Sequence, residues 1–179
     1  MSEKKKSYTL AGDEKATPIM VYTLTNLAWG EVVTKSQVRV NTYLRTLNPD
    51  YVSLYDARSL PVGATTNQPM AFGEIHIRTP QVIALHLLPN APAEPPDYDP
   101  AETNRKLEPI TALVGPFRFD AHMRISTLLN LSKHVEITTD VYITLYDAAA
   151  TCPLIPGLGA VRAPLVLIRR DAASFATRT

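Results

Sequence analysis

The sequence predicts a mainly β protein built from two tandem small five-stranded barrels, each carrying one short helix. Three observations predict this fold class. Short runs of alternating apolar and polar residues recur along the 179-residue chain, as expected of strands that bury one face. Several sequence blocks occur twice in the same order, which indicates a tandem duplication. Five prolines fall within residues 89–100 and predict an extended spacer, because proline fixes φ and lacks an N–H donor.

The duplication appears as matched blocks. Residues 30–34 (Gly-Glu-Val-Val-Thr) align with residues 115–119 (Gly-Pro-Phe-Arg-Phe) at an offset of 85. Residues 51–57 (Tyr-Val-Ser-Leu-Tyr-Asp-Ala) align with residues 142–148 (Tyr-Ile-Thr-Leu-Tyr-Asp-Ala) at an offset of 91. The increase from 85 to 91 predicts that the second copy has gained six residues, within 132–140.

Each copy is predicted to contain two strands, a short helix and three further strands. The helix is predicted from apolar residues at i, i+3, i+4 and i+7 that start at Val40, and the pattern starts again at Ile125 in the second copy. Five short strands suit a closed barrel, because closure removes exposed edges. The sequence leaves open whether the copies pack together. The elements predicted for the first copy are strands at 21–29, 31–34, 51–58, 72–78 and 82–88, with the helix at 40–47.

The predicted domain boundaries follow composition. The polar N-terminal residues cannot bury enough apolar surface to offset their ordering entropy. The proline-rich stretch is expected to lie between the copies, with Tyr98 as its anchor to a module surface. The predicted segments are a disordered tail at 1–16, the first barrel at 17–88, the linker at 89–104, the second barrel at 105–172 and a second tail at 173–179.

Composition narrows the function classes. The formal net charge is +1, so no overall field attracts nucleic acid or an acidic membrane. The single cysteine, Cys152, excludes an intrachain disulfide and a cysteine-based zinc cluster. The lysine-rich start lacks the apolar core of a signal peptide, and no apolar run approaches the ~18 residues of a membrane span. These observations predict a cytoplasmic protein with no membrane partner.

A shared pattern runs through both copies: a glycine bend, then Arg-Val/Ile-x-Thr-x-Leu, then Leu-Tyr-Asp-Ala at the end of a strand. The middle part of this pattern is found at Arg124–Asn130 and, in a looser form, at Arg39–Arg45. This pattern resembles an uncharacterised bacterial domain-of-unknown-function family whose members form a small barrel of the Sm-like, or more broadly SH3-like, kind. The resemblance covers both modules and leaves out the tail and the linker.

Arg78 and Arg162 are the candidate anion-binding or nucleic-acid-binding residues. Ile77-Arg78-Thr79-Pro80 is similar to Val161-Arg162-Ala163-Pro164, so both arginines are predicted in the turn before the last strand. The resemblance to RNA-binding Sm-like proteins implies that an arginine at this turn contacts nucleic acid. The alternative is a solvated arginine, since no aromatic residue or lysine accompanies either turn, as single-strand binders usually require.

Two further pairs are interpreted as structural repeats. Asp56 and Asp147 are expected to cap a turn through backbone N–H groups, with a catalytic carboxylate as the alternative. Arg39 and Arg124 are placed on the polar side of the short helix, where we expect each to pair with one of these aspartates.

The sequence contains no pattern for metal, cofactor or nucleophilic chemistry. The four histidines lack metal-ligand spacing, and no phosphate-binding loop or serine elbow occurs. The favoured expectation is a non-enzymatic structural or interaction protein that self-associates through barrel edges, with no cofactor. The alternatives are a nucleic-acid binder that uses Arg78 and Arg162, and an enzyme or small-molecule binder with a site in the cleft between the modules.

Overall fold

Alternating apolar residues form the strands of this protein, as the sequence predicts. The computed structural model describes residues 6–65, 68–92, 94, 97–99, 101–155 and 157–178. Within them, each copy contributes five strands to one sheet. The first copy has β1 (Glu14–Tyr22), β2 (Asn26–Lys35), β3 (Tyr51–Pro61), β4 (Met70–Arg78) and β5 (Ala84–Leu87); the second has β6 (Arg105–Val114), β7 (Phe117–Ser126), β8 (Tyr142–Thr151), β9 (Val161–Arg169) and β10 (Ala173–Thr177).

The ten strands form a single open antiparallel sheet, in the order β10-β6-β7-β8-β9-β5-β1-β2-β3-β4. The prediction of a mainly β protein is therefore confirmed, whereas the prediction of two closed barrels is wrong. Closure of the first copy would need β5 to pair with β4 of the same copy. Instead, β5 pairs with β1 on one side and with β9 of the second copy on the other. Joining the sheets lets two small modules bury apolar surface together.

The first four strands of the two copies correspond at an offset of 91 residues. This offset takes the first residues of β1, β2, β3 and β4 onto the first residues of β6, β7, β8 and β9. The alignment at an offset of 85 and the six-residue gain are therefore wrong. Gly30 lies inside β2, and Gly115 lies in the turn after β6 with φ of 56°. The two glycines serve different purposes, so matching them misaligns the copies.

A β-bulge occurs at the same place in both copies. Opposite Gly30, β3 contributes two residues, Asp56 and Ala57, and β8 repeats this with Asp147 and Ala148. Asp56 and Asp147 adopt φ of 47° and 50°, the left-handed region that aspartate tolerates better than most residues. A Cβ atom on Gly30 would lie 2.8 Å from the backbone oxygen of Tyr55, which explains the glycine.

We expect Asp147→Val to lower the free energy of unfolding by about 1–2 kcal/mol, because a β-branched residue fits the left-handed region poorly. Asp147→Gly is the matched control and should retain or raise stability, since glycine has no Cβ to strain. Urea unfolding of both variants measures the effect. Equal destabilisation by valine and glycine would show that the carboxylate, rather than the backbone conformation, matters here.

The helices differ from the predicted positions in one copy. In the first copy, α1 (Val40–Thr42) continues into a π-helical turn at Tyr43–Leu47, which agrees with the predicted 40–47. In the second copy, α2 spans Leu131–Ile137. The predicted helix at Ile125 is wrong, because that residue belongs to β7, where it shares a buried strand face with Ala121 and Met123.

Three predicted boundaries are also corrected. The predicted strand over 21–29 is interrupted by a turn, because Thr23 Oγ1 accepts from the N–H of Asn26 at 2.9 Å and stabilises a hairpin between β1 and β2. The predicted first tail contains the start of β1, and the predicted second tail forms β10. Of that first tail, residues 1–5 lie outside the described part.

The core consists of two apolar clusters, and neither is confined to one copy. The larger cluster contains most buried apolar residues of the second copy together with Tyr22, Leu27, Leu60, Ile83 and Ala84 of the first. The smaller cluster fills the first copy but includes Tyr142 and Leu167 of the second. The halves therefore share their apolar interior.

Candidate functional site

The sheet ends at two strands that each have one neighbour, β4 and β10. An edge strand presents unpaired backbone N–H and C=O groups, which can template pairing with another chain. Large exposed apolar side chains lie on β4 and on its neighbour β3: Met70 and Phe72 on β4 are 49% and 39% exposed, and Tyr51 on β3 is 48% exposed. Near the other edge, Leu113 on β6 is 50% exposed.

A cleft of about 650 Å³ lies between the two copies and the linker. Apolar side chains of β5 and β9 form much of its wall, and polar groups from both copies reach it. We call it the inter-module cleft; its lining includes Val40, Leu85, His86, Tyr146, Arg162 and Leu165.

The linker is anchored to both copies. In the first, Glu94 accepts a hydrogen bond from the N–H of Val40 at 3.0 Å, at the start of α1. In the second, Asp97 accepts from the hydroxyl of Tyr146 at 2.6 Å. Tyr98, the predicted anchor, packs edge-on against Tyr146 with ring centroids 5.1 Å apart. Arg124 lies 4.5 Å above the Tyr98 ring, a cation–π arrangement.

His86 lines the cleft wall as a buried histidine, 2% exposed. Its Nε2 lies 3.0 Å from the hydroxyl of Tyr22, and its Nδ1 lies 2.8 Å from the carbonyl oxygen of Leu87. Burial lowers the pKa of His86, against a smaller raising effect of the Leu87 carbonyl. His86 is therefore held in its neutral form.

We expect the free energy of unfolding to fall as the pH is lowered below about 6.5, the ordinary pKa of histidine. The unfolded chain takes up a proton there that the folded chain resists, so stability rises with pH through this range. Burial also lowers the pKa of His134, which adds an effect of the same sign. Urea unfolding between pH 5 and 7.5 measures the slope, and His86→Gln with His134→Gln should flatten it. An unchanged slope in the double variant would contradict this assignment.

The structure does not bring the two candidate arginines together. Arg78 ends the edge strand β4, whereas Arg162 lies near the start of β9 and lines the inter-module cleft. The offset of 91 makes Arg169 the equivalent of Arg78 and Ala71 the equivalent of Arg162. The two arginines are therefore not repeat partners, and the sequence match at Arg-x-Pro is coincidental.

The other two predicted pairs also separate. Arg39 precedes α1, whereas Arg124 lies on β7. Arg124 pairs with Glu102 at 2.6 Å and donates to the backbone oxygen of Asp99, so neither predicted aspartate is its partner. Asp56 and Asp147 occupy equivalent bulges within strands rather than turns at strand ends.

Sequence reasoning missed the exposed side chains beside the edges. The matched blocks at 51–57 and 142–148 identify Tyr51 and Tyr142 as equivalents, yet their exposures are 48% and 1%. That contrast arises because β9, next to Tyr142, is followed in the sheet by β5, whereas β4, next to Tyr51, is the edge strand. Asp97 was missed as well, because its partners Tyr146 and Thr144 are distant in sequence.

Within the described residues, no group of three or more histidine, cysteine, aspartate or glutamate side chains is placed to hold a metal ion. Cys152 is buried and forms no disulfide bond. The helices in the described part are too short to cross a membrane. Comparison with protein-family models, with curated proteins and with solved structures finds no match for this chain.

Proposed function

We propose that this protein is a structural or interaction protein that self-associates through the open edges of its sheet. The observation that carries the proposal is the pairing inside the chain, where β5 of one copy joins β9 of the other by strand addition. Strand addition uses backbone hydrogen bonds for affinity and side-chain pockets for specificity.

The free edge at β10 favours further strand addition, whereas the free edge at β4 carries Glu74, His76 and Arg78. β10 reads Ala-Ser-Phe-Ala-Thr, with no charged residue and no proline, although charged residues and proline are the usual protection of an edge. Beside β4, the exposed apolar side chains named above supply surface for burial. A partner strand at either edge would cover both the backbone groups and the apolar surface.

Native mass spectrometry of the purified protein at low salt, over a range of concentrations, tests the proposal. We expect masses at integer multiples of 19.7 kDa that increase with concentration. A monomer at every concentration would overturn self-association. Added mass that matches nucleotides would instead support nucleic-acid binding, the alternative suggested by the arginines.

The inter-module cleft supports a second candidate function, the binding of a small apolar acid. Its volume falls in the range of ligand sites, which are mostly apolar with a few polar groups. Arg162 is exposed and lines the cleft, so its guanidinium can pair with a carboxylate. A thermal-shift screen of aromatic and fatty acids, with Arg162→Ala as control, tests it. Absence of any stabilising acid, or equal stabilisation of the variant, would contradict this function.

A further inference from the structure

The two free edges are the equivalents of the two edges that already meet inside the chain. The internal junction joins β5, the fifth strand of the first copy, to β9, the fourth strand of the second. The free strands are β4, the fourth of the first copy, and β10, the fifth of the second. We propose that β10 of one molecule pairs antiparallel with β4 of a second molecule, repeating the β5–β9 junction. This inference rests on the proposed self-association and specifies its geometry.

The internal junction defines the expected register. Leu85 lies opposite Leu167, and the N–H of Arg169 donates to the carbonyl oxygen of Ile83 at 2.8 Å. These two contacts therefore give the positions to be matched at the free edges.

Equivalent positions follow from the neighbouring strands. In the first copy Ile19 pairs with Leu87, and in the second its equivalent Ile110 pairs with Thr177. Each residue of β5 therefore corresponds to the residue of β10 numbered 90 higher. Each residue of β9 corresponds to the residue of β4 numbered 91 lower.

The mapping places two residue pairs across the proposed junction. The equivalents of Leu85 and Leu167 are Phe175 and His76, so Phe175 of one molecule is expected to lie opposite His76 of the other. The equivalents of Ile83 and Arg169 are Ala173 and Arg78. A hydrogen bond is therefore expected from the N–H of Arg78 in one molecule to the carbonyl oxygen of Ala173 in the other.

Tyr51 is the side chain that the second molecule would cover. Its equivalent, Tyr142, is 1% exposed and packs in the cluster with Leu85 and Leu167. The hydroxyl of Tyr142 donates across the internal junction to the carbonyl oxygens of Thr79 and Val82, at 3.4 and 3.3 Å. Tyr51 occupies the equivalent position but is 48% exposed, because no strand from another copy covers it.

The opposite edge shows the same contrast. Tyr22 is fully buried at the internal junction, where its ring packs edge-on against Phe117 and Phe119 of the other copy, at 4.9 and 5.3 Å. Its equivalent on β6 is Leu113, which is 50% exposed. Each free edge thus carries an exposed apolar residue at a position that the internal junction buries.

Aromatic groups complement each other across the proposed junction. The rings of Tyr51 and His76 are 6.5 Å apart and nearly perpendicular, and Phe175 of the other molecule would lie opposite His76. The hydroxyl of Ser7 donates to the carbonyl oxygen of Gly73 at 2.7 Å, and Gly73 lies outside the paired segment 76–78.

A junction of this kind is heterologous, so it produces rings when its rotation closes and filaments when it does not.

Disulfide trapping between two single-cysteine variants tests the pairing. Both carry Cys152→Ala; one adds Arg78→Cys and the other Ala173→Cys, and tags of different length distinguish them. Directly opposite residues have Cα atoms about 5.5 Å apart, within the range of a disulfide. We expect a cross-link after mild oxidation only when the two variants are mixed.

The other outcomes separate the inference from the proposed function. Cross-linking of the Arg78→Cys variant with itself would indicate two-fold β4–β4 pairing, and cross-linking of Ala173→Cys with itself would indicate β10–β10 pairing. Either result, or oligomers with no cross-link, would overturn the head-to-tail inference and leave self-association intact. Only monomers in native mass spectrometry would overturn both.

A side-chain variant provides an independent readout. Tyr51→Ala should raise the dissociation constant by about tenfold or more, because a buried aromatic anchor is a typical interface hot spot. Leu128→Ala, at a residue 91% exposed in the turn before α2, is the matched control and should leave association unchanged. Unfolding curves confirm that both variants fold. Equal dissociation constants for Tyr51→Ala and the unmodified protein would overturn the role of Tyr51.

Discussion

Phe119→Ala should lower the free energy of unfolding by about 3–5 kcal/mol, the usual cost of removing a buried aromatic ring. Phe119 is 1% exposed, lies on β7 and packs edge-on against Tyr22 of the first copy. The variant therefore loses contacts within the second copy and contacts between the copies. We expect both halves to unfold together in one transition, because the larger apolar cluster draws residues from each.

The single tryptophan makes this prediction measurable. Trp29 lies on β2 of the first copy and packs against the larger cluster, which contains Phe119, so its fluorescence reports on the apolar interior that the copies share. In urea unfolding, the fluorescence midpoint of Phe119→Ala should fall together with the circular dichroism midpoint. Leu128→Ala is the control and should change stability by less than about 0.5 kcal/mol.

The opposite outcome has a clear meaning. A fluorescence midpoint that stays unchanged while the circular dichroism midpoint falls would show that the copies unfold separately. The shared apolar interior would then contribute little to stability, and the two-barrel description would be the better one for folding.

Asp97→Ala should lower the free energy of unfolding by about 2–3 kcal/mol, because hydrogen bonds to a charged group are worth more than neutral ones. The Asp97 side chain is 14% exposed and accepts from Tyr146 and Thr144 at 2.6 and 3.1 Å, with Arg45 at 3.8 Å. Its removal leaves the hydroxyl of Tyr146 without its partner. It also frees the linker, so protease cleavage within 89–100 should become faster.

Asp140→Ala is the matched control for the linker aspartate. Asp140 pairs with the same Arg45 at 2.9 Å but is 61% exposed, so its loss should cost about 0–1 kcal/mol. A double-mutant cycle with Tyr146→Phe isolates the Asp97–Tyr146 interaction. If Asp97→Ala and Asp140→Ala have equal stability and equal cleavage rates, the linker is not held by Asp97.

The linker contacts both copies beside the candidate ligand site. Asp97 and Tyr98 hold it against the second copy, and Glu94 holds it against the start of α1 in the first. It therefore forms one side of the inter-module cleft. A linker that detaches would open the cleft and leave the β5–β9 pairing in place.

Much of the local structure was predictable from the sequence. Alternation predicts β3, because successive side chains there face the core and the other surface of the sheet in turn. The Tyr-x-x-Leu-Tyr-Asp-Ala blocks identify the duplication and the equivalence of Asp56 with Asp147. The helical spacing from Val40 likewise predicts the first helix. The strand and helix signals are local and can be read within about ten residues, and the duplication requires only that two short blocks be compared.

The pairing of the strands was decided only by the tertiary structure. Closure of a barrel and joining of two sheets use the same alternating strands, and the choice depends on whether β5 meets β4 or β9. That choice follows from long-range packing of Tyr22, Tyr142 and Leu167 across the copies, which no local pattern encodes. The sequence by itself determined the strands and their duplication. Only the tertiary structure decided that one edge of each copy is buried inside the chain and that its equivalent is left open.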